Sequence, residues 1–331
     1  MLFFESFLGH YLTQAVSYSL ITVIVVETVM AIWHIHEPLL RIKFRFLALF
    51  LPALCPPLYY LLYPDRVSEY FREQVALIDV NQWLALELGG GITIWHLFTF
   101  ILLATAAIFL IEEAFPLSTH YLTKRPSFPA IKRGQYPRLD KALANTGRNE
   151  PALTPAILLS PENTPVAYIS NHGTLVLSAA MIDLLDVDEL QAVIAHEIAH
   201  HSRTVTRINR VLLVLRFWLF YNPVGLLVFH RIINDNEKLC DDMAIRSSGK
   251  RLSLTSGLLK IFRHSAAVKS AATKQRLWPG ITSLQNTARR NLTRERVERV
   301  TQTNGVNSID YQNLRVAVTA LILAVLLFFI V

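Results

Sequence analysis

Residues 196–201 read His-Glu-Ile-Ala-His-His. His196 and His200 are four apart, so on a helix both rings leave one face and can grip a single metal ion. Glu197, between them, is placed to take a proton from water held at such an ion. A second pair follows in Glu237-Lys-Leu-Cys-Asp241, which sets two carboxylates at i and i+4, again on one helical face. Glu237 can complete a two-histidine, one-carboxylate site with an open position. Asp241 can accept the second ring N–H of a ligand histidine and fix its tautomer. Alone, the first motif can arise by chance and the second can be an ordinary solvated turn. Together they point to a zinc hydrolase, in the first place a peptidase, with one Zn2+ per chain.

The elements that must position these residues are readable nearby. Asp186 and Glu189 form an Asp-x-x-Glu start signal. Leu190, Val193, Ile194 and Ile198 then recur at helical spacing, so both histidines fall on one amphipathic helix. Ahead of it, 156–159, 166–169 and 174–177 read as short strands separated by turn residues. The apolar run 211–230 poses a geometric problem. A single membrane crossing there would put Glu237 on the opposite side from His196 and His200. The 36 residues between His200 and Glu237 are also too few for two crossings of about 20 residues each. The run is therefore expected to be a bent hairpin, broken at Asn222-Pro223, and Arg216 argues against full immersion in lipid. Residues 252–310 read as helical and basic with no chemical motif.

The sequence resembles the BlaR/MecR-type antirepressor metallopeptidases, integral membrane zinc proteases of bacteria. The resemblance rests on Val193-Ile-Ala-His-Glu-Ile-Ala-His200, Trp218-Leu-Phe-Tyr-Asn-Pro223 and Glu237-Lys-Leu-Cys-Asp241. It implies His196, His200 and Glu237 as zinc ligands, Glu197 as general base, and a zincin-like (gluzincin) α+β fold. In zinc peptidases of this class a small sheet precedes the metal helix. Residues 174–177 are then the expected edge strand, able to pair with an extended substrate. The best-known members add a penicillin-binding sensor after the last span. The sequence holds no such segment, so antibiotic sensing is not carried over.

Composition supports the membrane layout. The 331 residues are 52% hydrophobic, with mean hydropathy +0.35, too apolar for an ordinary soluble protein. Segments 11–33, 46–63, 91–111 and 314–331 are candidate spans. The first lacks a basic leader and a cleavage site and reads as a retained span. Loop 34–45 carries Arg41, Lys43 and Arg45 against Glu37, loop 64–90 two arginines against five acids, and 112–313 26 basic against 17 acidic residues. Basic segments favour the cytoplasm. The expected fold is a mainly α integral membrane protein, N-terminus outside, in the bacterial inner membrane. Residues 1–113 form a three-span region, 114–313 a cytoplasmic metallopeptidase domain, and 314–331 a fourth transmembrane helix. The net charge of +7 is assigned to topology and anionic lipid. No basic stripe with interleaved aromatics suggests nucleic acid. Cys55 and Cys240 read as packing residues rather than as a disulfide or ligands.

Several residues stay open at this point. His172, Tyr221, His230 and Arg231 are candidates for oxyanion or substrate contacts, whereas His201 points about 100° away from His200 on a helix. Glu27 is an intramembrane acid expected to pair with a polar group on another span, with His96 the candidate. Residues 66–79 read as an amphipathic helix on the outer membrane surface. His34 and His36 are expected to be solvated. The expected partners are a protein substrate at the cytoplasmic face and lipid, with room for a separate sensor protein. The leading reading is a site-specific regulatory protease that cuts a repressor-like protein or itself. The alternatives are an HtpX-like quality-control protease, disfavoured by the short ligand spacing, and a zinc-binding scaffold, disfavoured by the intact Glu197.

Overall fold

A computed structural model describes residues 6–115, 135–149, 157–160, 164–169, 174–272, 295–296, 298–299 and 311–331. His172 lies outside these residues. The chain divides into two units, one of residues 1–124, 209–235 and 307–331, the other of 125–208 and 236–306.

In the first unit, α1 (Phe7–Ile32) and α2 (Pro38–Leu62) are long and apolar enough to cross a membrane. So is the helix of Ile94–Ala114, formed by α5 (Ile94–Phe109) and a closing π-turn. The fourth apolar helix, α12 (Gln312–Phe328), is 17 residues long. Leu20, Ile24, Phe100, Leu103, Leu321 and Ile322 are exposed, the apolar exterior that lipid requires. Inside, Val26 and Met30 of α1 meet Leu40 and Phe44 of α2 and Leu323 of α12.

Two expectations in this unit are corrected. The second span begins at Pro38, so most of the anticipated basic loop is helix. Pro at the first helical position costs no hydrogen bond there, and so favours an early start. The segment 66–79 is likewise not one helix. A 3-10 turn (Pro64–Val67) leads to Ser68, whose hydroxyl accepts from Phe71 N–H and starts the short α3 (Glu69–Gln74). The chain then extends. Leu77 N–H donates to Phe329 O at 2.7 Å and Val331 N–H donates to Ile78 O at 2.9 Å. These main-chain bonds satisfy backbone groups that a longer helix would have used internally. After α4 (Val80–Leu84), a hairpin of β1 (Glu87–Gly89) and β2 (Ile92–Thr93) turns through Gly89, Gly90 and Gly91, all at positive φ.

Glu27 does not pair with His96, whose ring instead closes a capping box with Thr93 at the start of α5. The Arg45 guanidinium donates to both Glu27 oxygens at 2.9 and 3.2 Å and also bonds Asp235. Arg231 reaches Glu27 at 2.8 Å and Arg41 reaches Asp235 at 3.4 Å. Two carboxylates thus share three guanidinium groups. A bare acid at this depth would be costly, and arginine on the neighbouring helix is the better partner because its fork meets two oxygens at once.

The second unit carries α6 (Pro137–Asn149), then β3 (Ile157–Ser160), β4 (Ala167–Ile169) and β5 (Leu175–Ser178) in spatial order β3-β5-β4. β3 is parallel to β5, and β4 is antiparallel to it. The predicted edge strand is therefore the central one. All four residues of β5 are buried, and its unbroken apolar run suits a strand covered on both faces. After α7 (Ala179–Leu184), α8 (Val187–His200) lays Leu190, Val193, Ile194 and Ile198 against Leu175 and Leu177.

The two units share α10 (Pro223–Ser248), which follows α9 (Arg203–Trp218). The hairpin breaks where expected. Asn222 is wholly buried, and its Oδ1 accepts from Val224 and Gly225 N–H at 3.0 Å each, capping α10. Its Nδ2 donates to Ser19 Oγ at 2.8 Å. α11 (Arg251–Ala272) closes on α8, with Gly257 so near that an added Cβ would lie 3.4 Å from Val193 Cγ2.

Replacing Arg45 with Met would leave Asp235 and Glu27 with weaker partners in a buried setting. We expect a loss of about 3–5 kcal/mol. Thermal unfolding in detergent should show a lowered midpoint, partly restored by adding Asp235→Asn.

Candidate metal centre

The metal helix α8 starts as its sequence demands. Asp186 Oδ1 accepts from Asp188 and Glu189 N–H at 2.9 and 2.8 Å, and Glu189 Oε2 accepts from Asp186 N–H at 3.0 Å. Glu189 is in turn held by Ser256 Oγ and Lys260 Nζ of α11, each at 2.6 Å. With its start fixed, the helix presents His196 and His200 one turn apart at its far end. Their Nε2 atoms are 3.1 Å apart, and the rings cross nearly at right angles, 86°.

Among the described residues, α10 brings two carboxylates and a thiol to these rings. Glu237 Oε2 lies 3.6 Å from His196 Nε2, and Oε1 lies 3.6 Å from His200 Nε2. One turn on, Asp241 Oδ1 lies 3.0 Å from His196 Nδ1, a close contact although the ring N–H is not aligned on the oxygen. Cys240 Sγ is 3.4 Å from His200 Nδ1. Residues 237, 240 and 241 are spaced i, i+3, i+4, so one helical face meets both nitrogens of both rings. Ligands 2.0–2.1 Å from a tetrahedral ion sit about 3.3 Å apart. Glu237 makes its two 3.6 Å approaches through different oxygens, and with one ligand atom taken from each of His196, His200 and Glu237 these atoms lie within 4.8 Å of one another, a donor set able to hold a metal ion. His196 is buried, while Glu197, His200 and Glu237 keep partial exposure, so the site is open on one side.

The electrostatics follow from burial among opposed charges. Burial works against a His196 cation, but Asp241 and Glu237 outweigh it and push the ring up to about 9. Burial and the neighbouring His196 charge both lower His200 below the usual imidazole range. Burial pushes Glu197 up to about 7, with Glu237 adding and His196 opposing. A carboxylate poised there exchanges protons near neutral pH. Burial opposes the charge on Asp241 too, yet Arg296 and His196 hold it well below the usual carboxylate range.

Arg296 is the residue that sequence reasoning missed. It lies in the basic stretch that had no motif, yet its Nε and Nη2 donate to Asp241 at 2.8 and 2.7 Å, and Nη1 is 3.2 Å from Glu237 Oε2. No local signal marks it out, because its partners lie 55 and 59 residues away in sequence. Cys240 was assigned to packing, and it is fully buried, but its sulfur also touches a ligand ring. His201 is no part of the cluster. Its Nε2 sits 3.1 Å from Ile169 O on β4. Tyr221, His230 and Arg231 were the other candidates. All three belong to the first unit, where Arg231 is committed to Glu27 and Tyr221 packs against Tyr11 and Phe220.

Metal ligation needs a neutral imidazole, so an ion entering the site must displace the proton that His196 holds below about pH 9. We expect zinc binding at pH 7 to release about one proton per ion. Affinity should climb as pH rises towards about 9 and level off above it. Titration calorimetry in buffers of different ionisation enthalpy measures both.

The BlaR1 peptidase M56 family matches residues 91–290. A search of curated proteins finds no match. The matched stretch runs from the start of the third apolar helix through the metal helix and the helix that carries Glu237, and it covers well over half of the sequence. The membrane helices and the convergent histidines and glutamate are what such a peptidase needs, and the chain belongs to the BlaR1 peptidase M56 family of membrane metallopeptidases.

Proposed function

We propose that this protein is a zinc endopeptidase that cuts a cytoplasmic or membrane-proximal protein, in regulated signalling. The observation that carries the reading is the convergence of His196, His200 and Glu237 from two helices, with Glu197 on the same helix as both histidines. A structural zinc site is closed by four protein ligands, whereas three ligands with partial exposure leave a working position. When bound, the ion supplies Lewis acidity, acidifying water and polarising the scissile carbonyl. The chain's own groups do the rest. His196, His200 and Glu237 hold the ion, and Asp241 orients the His196 ring. Glu197 takes the proton of the attacking water and passes it to the leaving amine as the C–N bond breaks. An extended substrate has two outer strands, β3 and β4, to pair with, since β5 is enclosed.

The placement in the bacterial inner membrane, with four spans, an outer N-terminus and the metal site in the cytoplasm, rests on the charge bias of the loops. Arg45 weakens the count slightly, because it is buried in ion pairs rather than free to meet anionic lipid. The large basic excess of residues 112–313 remains. A separate sensor protein is the expected source of the activating signal.

The test is cleavage-site mapping across the proteome of cells carrying wild type or Glu197→Ala. A small set of cut sites should vanish in the variant, with cleavage slowed about 10²–10⁴-fold at each. Identical cut sites at identical rates in both strains would remove the proteolytic assignment. Many unrelated sites would favour a quality-control role over signalling.

A further inference from the structure

Four described ion pairs join Glu295, Arg296 and Arg299 to α10. Lys238 Nζ meets Glu295 Oε1 at 2.5 Å, Arg296 grips Asp241 through two nitrogens, and Arg299 grips Asp242 through two more at 2.8 Å each. Lys238, Asp241 and Asp242 recur at i, i+3 and i+4, and Glu295 and Arg299 are also four apart, so two helical surfaces of complementary charge are in contact. Arg296 occupies the middle of this contact. Its side chain is 15% exposed, and it reaches past Asp241 to Glu237.

We propose that Arg296 is a positioning residue that fixes two members of the metal site at once. The inference rests on the metal-site reading above. A carboxylate that must serve as a ligand can rotate, and Glu237 is one-third exposed with no backbone donor to hold it among the described contacts. The Arg296 fork holds Glu237 Oε2 from one side, leaving Oε1 turned towards His200. The same fork pins both oxygens of Asp241, and Asp241 Oδ1 faces His196 Nδ1. One guanidinium therefore sets the angle of the third ligand and of the group that orients the first. Only a planar group with several fixed donors can do this, because an ammonium is a single point of charge. Arg296 is keyed in place by the outer pairs of Glu295 and Arg299, so seating of these three residues on α10 and assembly of the metal site become one event.

Charge and geometry must be separated, since a cation near the site also repels a metal ion. Arg296→Lys keeps the charge and loses the fork. The full-length protein in detergent is titrated with Co2+ against a chromophoric chelator, and the visible spectrum of the bound cobalt is recorded. We expect Arg296→Lys to bind about 10–100-fold more weakly, with an altered cobalt spectrum. Arg299→Asp, remote from the ligands, should weaken binding in the same direction. Adding Asp242→Arg should restore it, because the pair is then reversed rather than removed. Glu237→Ala serves as the reference and should lose the site. If Arg296→Lys binds Co2+ with wild-type affinity and spectrum while Glu237→Ala does not, Arg296 has no positioning role and the metal site stands. If Glu237→Ala also binds as wild type, the metal-site reading itself fails and the proposal with it. Loss in Arg299→Asp without recovery in the reversed pair would show general destabilisation and overturn the keying of Arg296.

Discussion

The structure depends on a return. Two histidines on one helix cannot complete a metal site, and the third ligand lies beyond a strongly apolar excursion of the chain. That excursion must come back on the side it left. Asn222 and Pro223 bring this about. Proline ends helical hydrogen bonding behind it, and the asparagine side chain replaces what is lost by accepting from the first two amides of the next helix. Its Nδ2 donates one hydrogen bond to Ser19 within α1, so a fully buried polar side chain has partners on both ends. The aromatic-Asn-Pro stretch is thus a corner between two helices.

Two of the sets of paired charge each include a buried acid on α10. In the first unit Asp235 shares Arg45 with Glu27, and in the second Asp241 shares Arg296 with Glu237. The two sets have the same logic. An arginine fork offsets the repulsion between two neighbouring carboxylates. In the membrane-facing unit the result is cohesion between helices. Beside the metal ligands the result is a fixed orientation of groups that would otherwise be free to turn.

The candidate metal group was legible because local rules place it. The spacing of His196 to His200 and of Glu237 to Asp241 is a helical repeat, and Asp186 with Glu189 announces the helix start, so composition and period suffice. The corner at Asn222-Pro223 was legible for a different reason: the ligands had to meet, and only a return allows it. What the sequence did not disclose depends on contacts between distant segments. Glu27 was matched to His96 because both are polar and apolar-flanked, yet Arg45 had been counted as a topological charge. The position of β5 in its sheet is set by what covers its faces, and an apolar run of three residues cannot state whether it has one neighbour or two. Arg296 lies in a stretch with many arginines, and only the fold selects one of them.

The face formed by Glu237, Cys240 and Asp241 has a consequence for which changes in length the gene can accept. A residue inserted between 237 and 241 would turn the later positions by about 100° and raise them by about 1.5 Å. The third ligand and its two supporting contacts would then no longer meet the same pair of rings. Substitutions along this stretch can be graded in effect, but insertions and deletions cannot. The reading frame of the helix is itself part of the metal centre, and sequence drift in this segment is confined to exchange of one side chain for another.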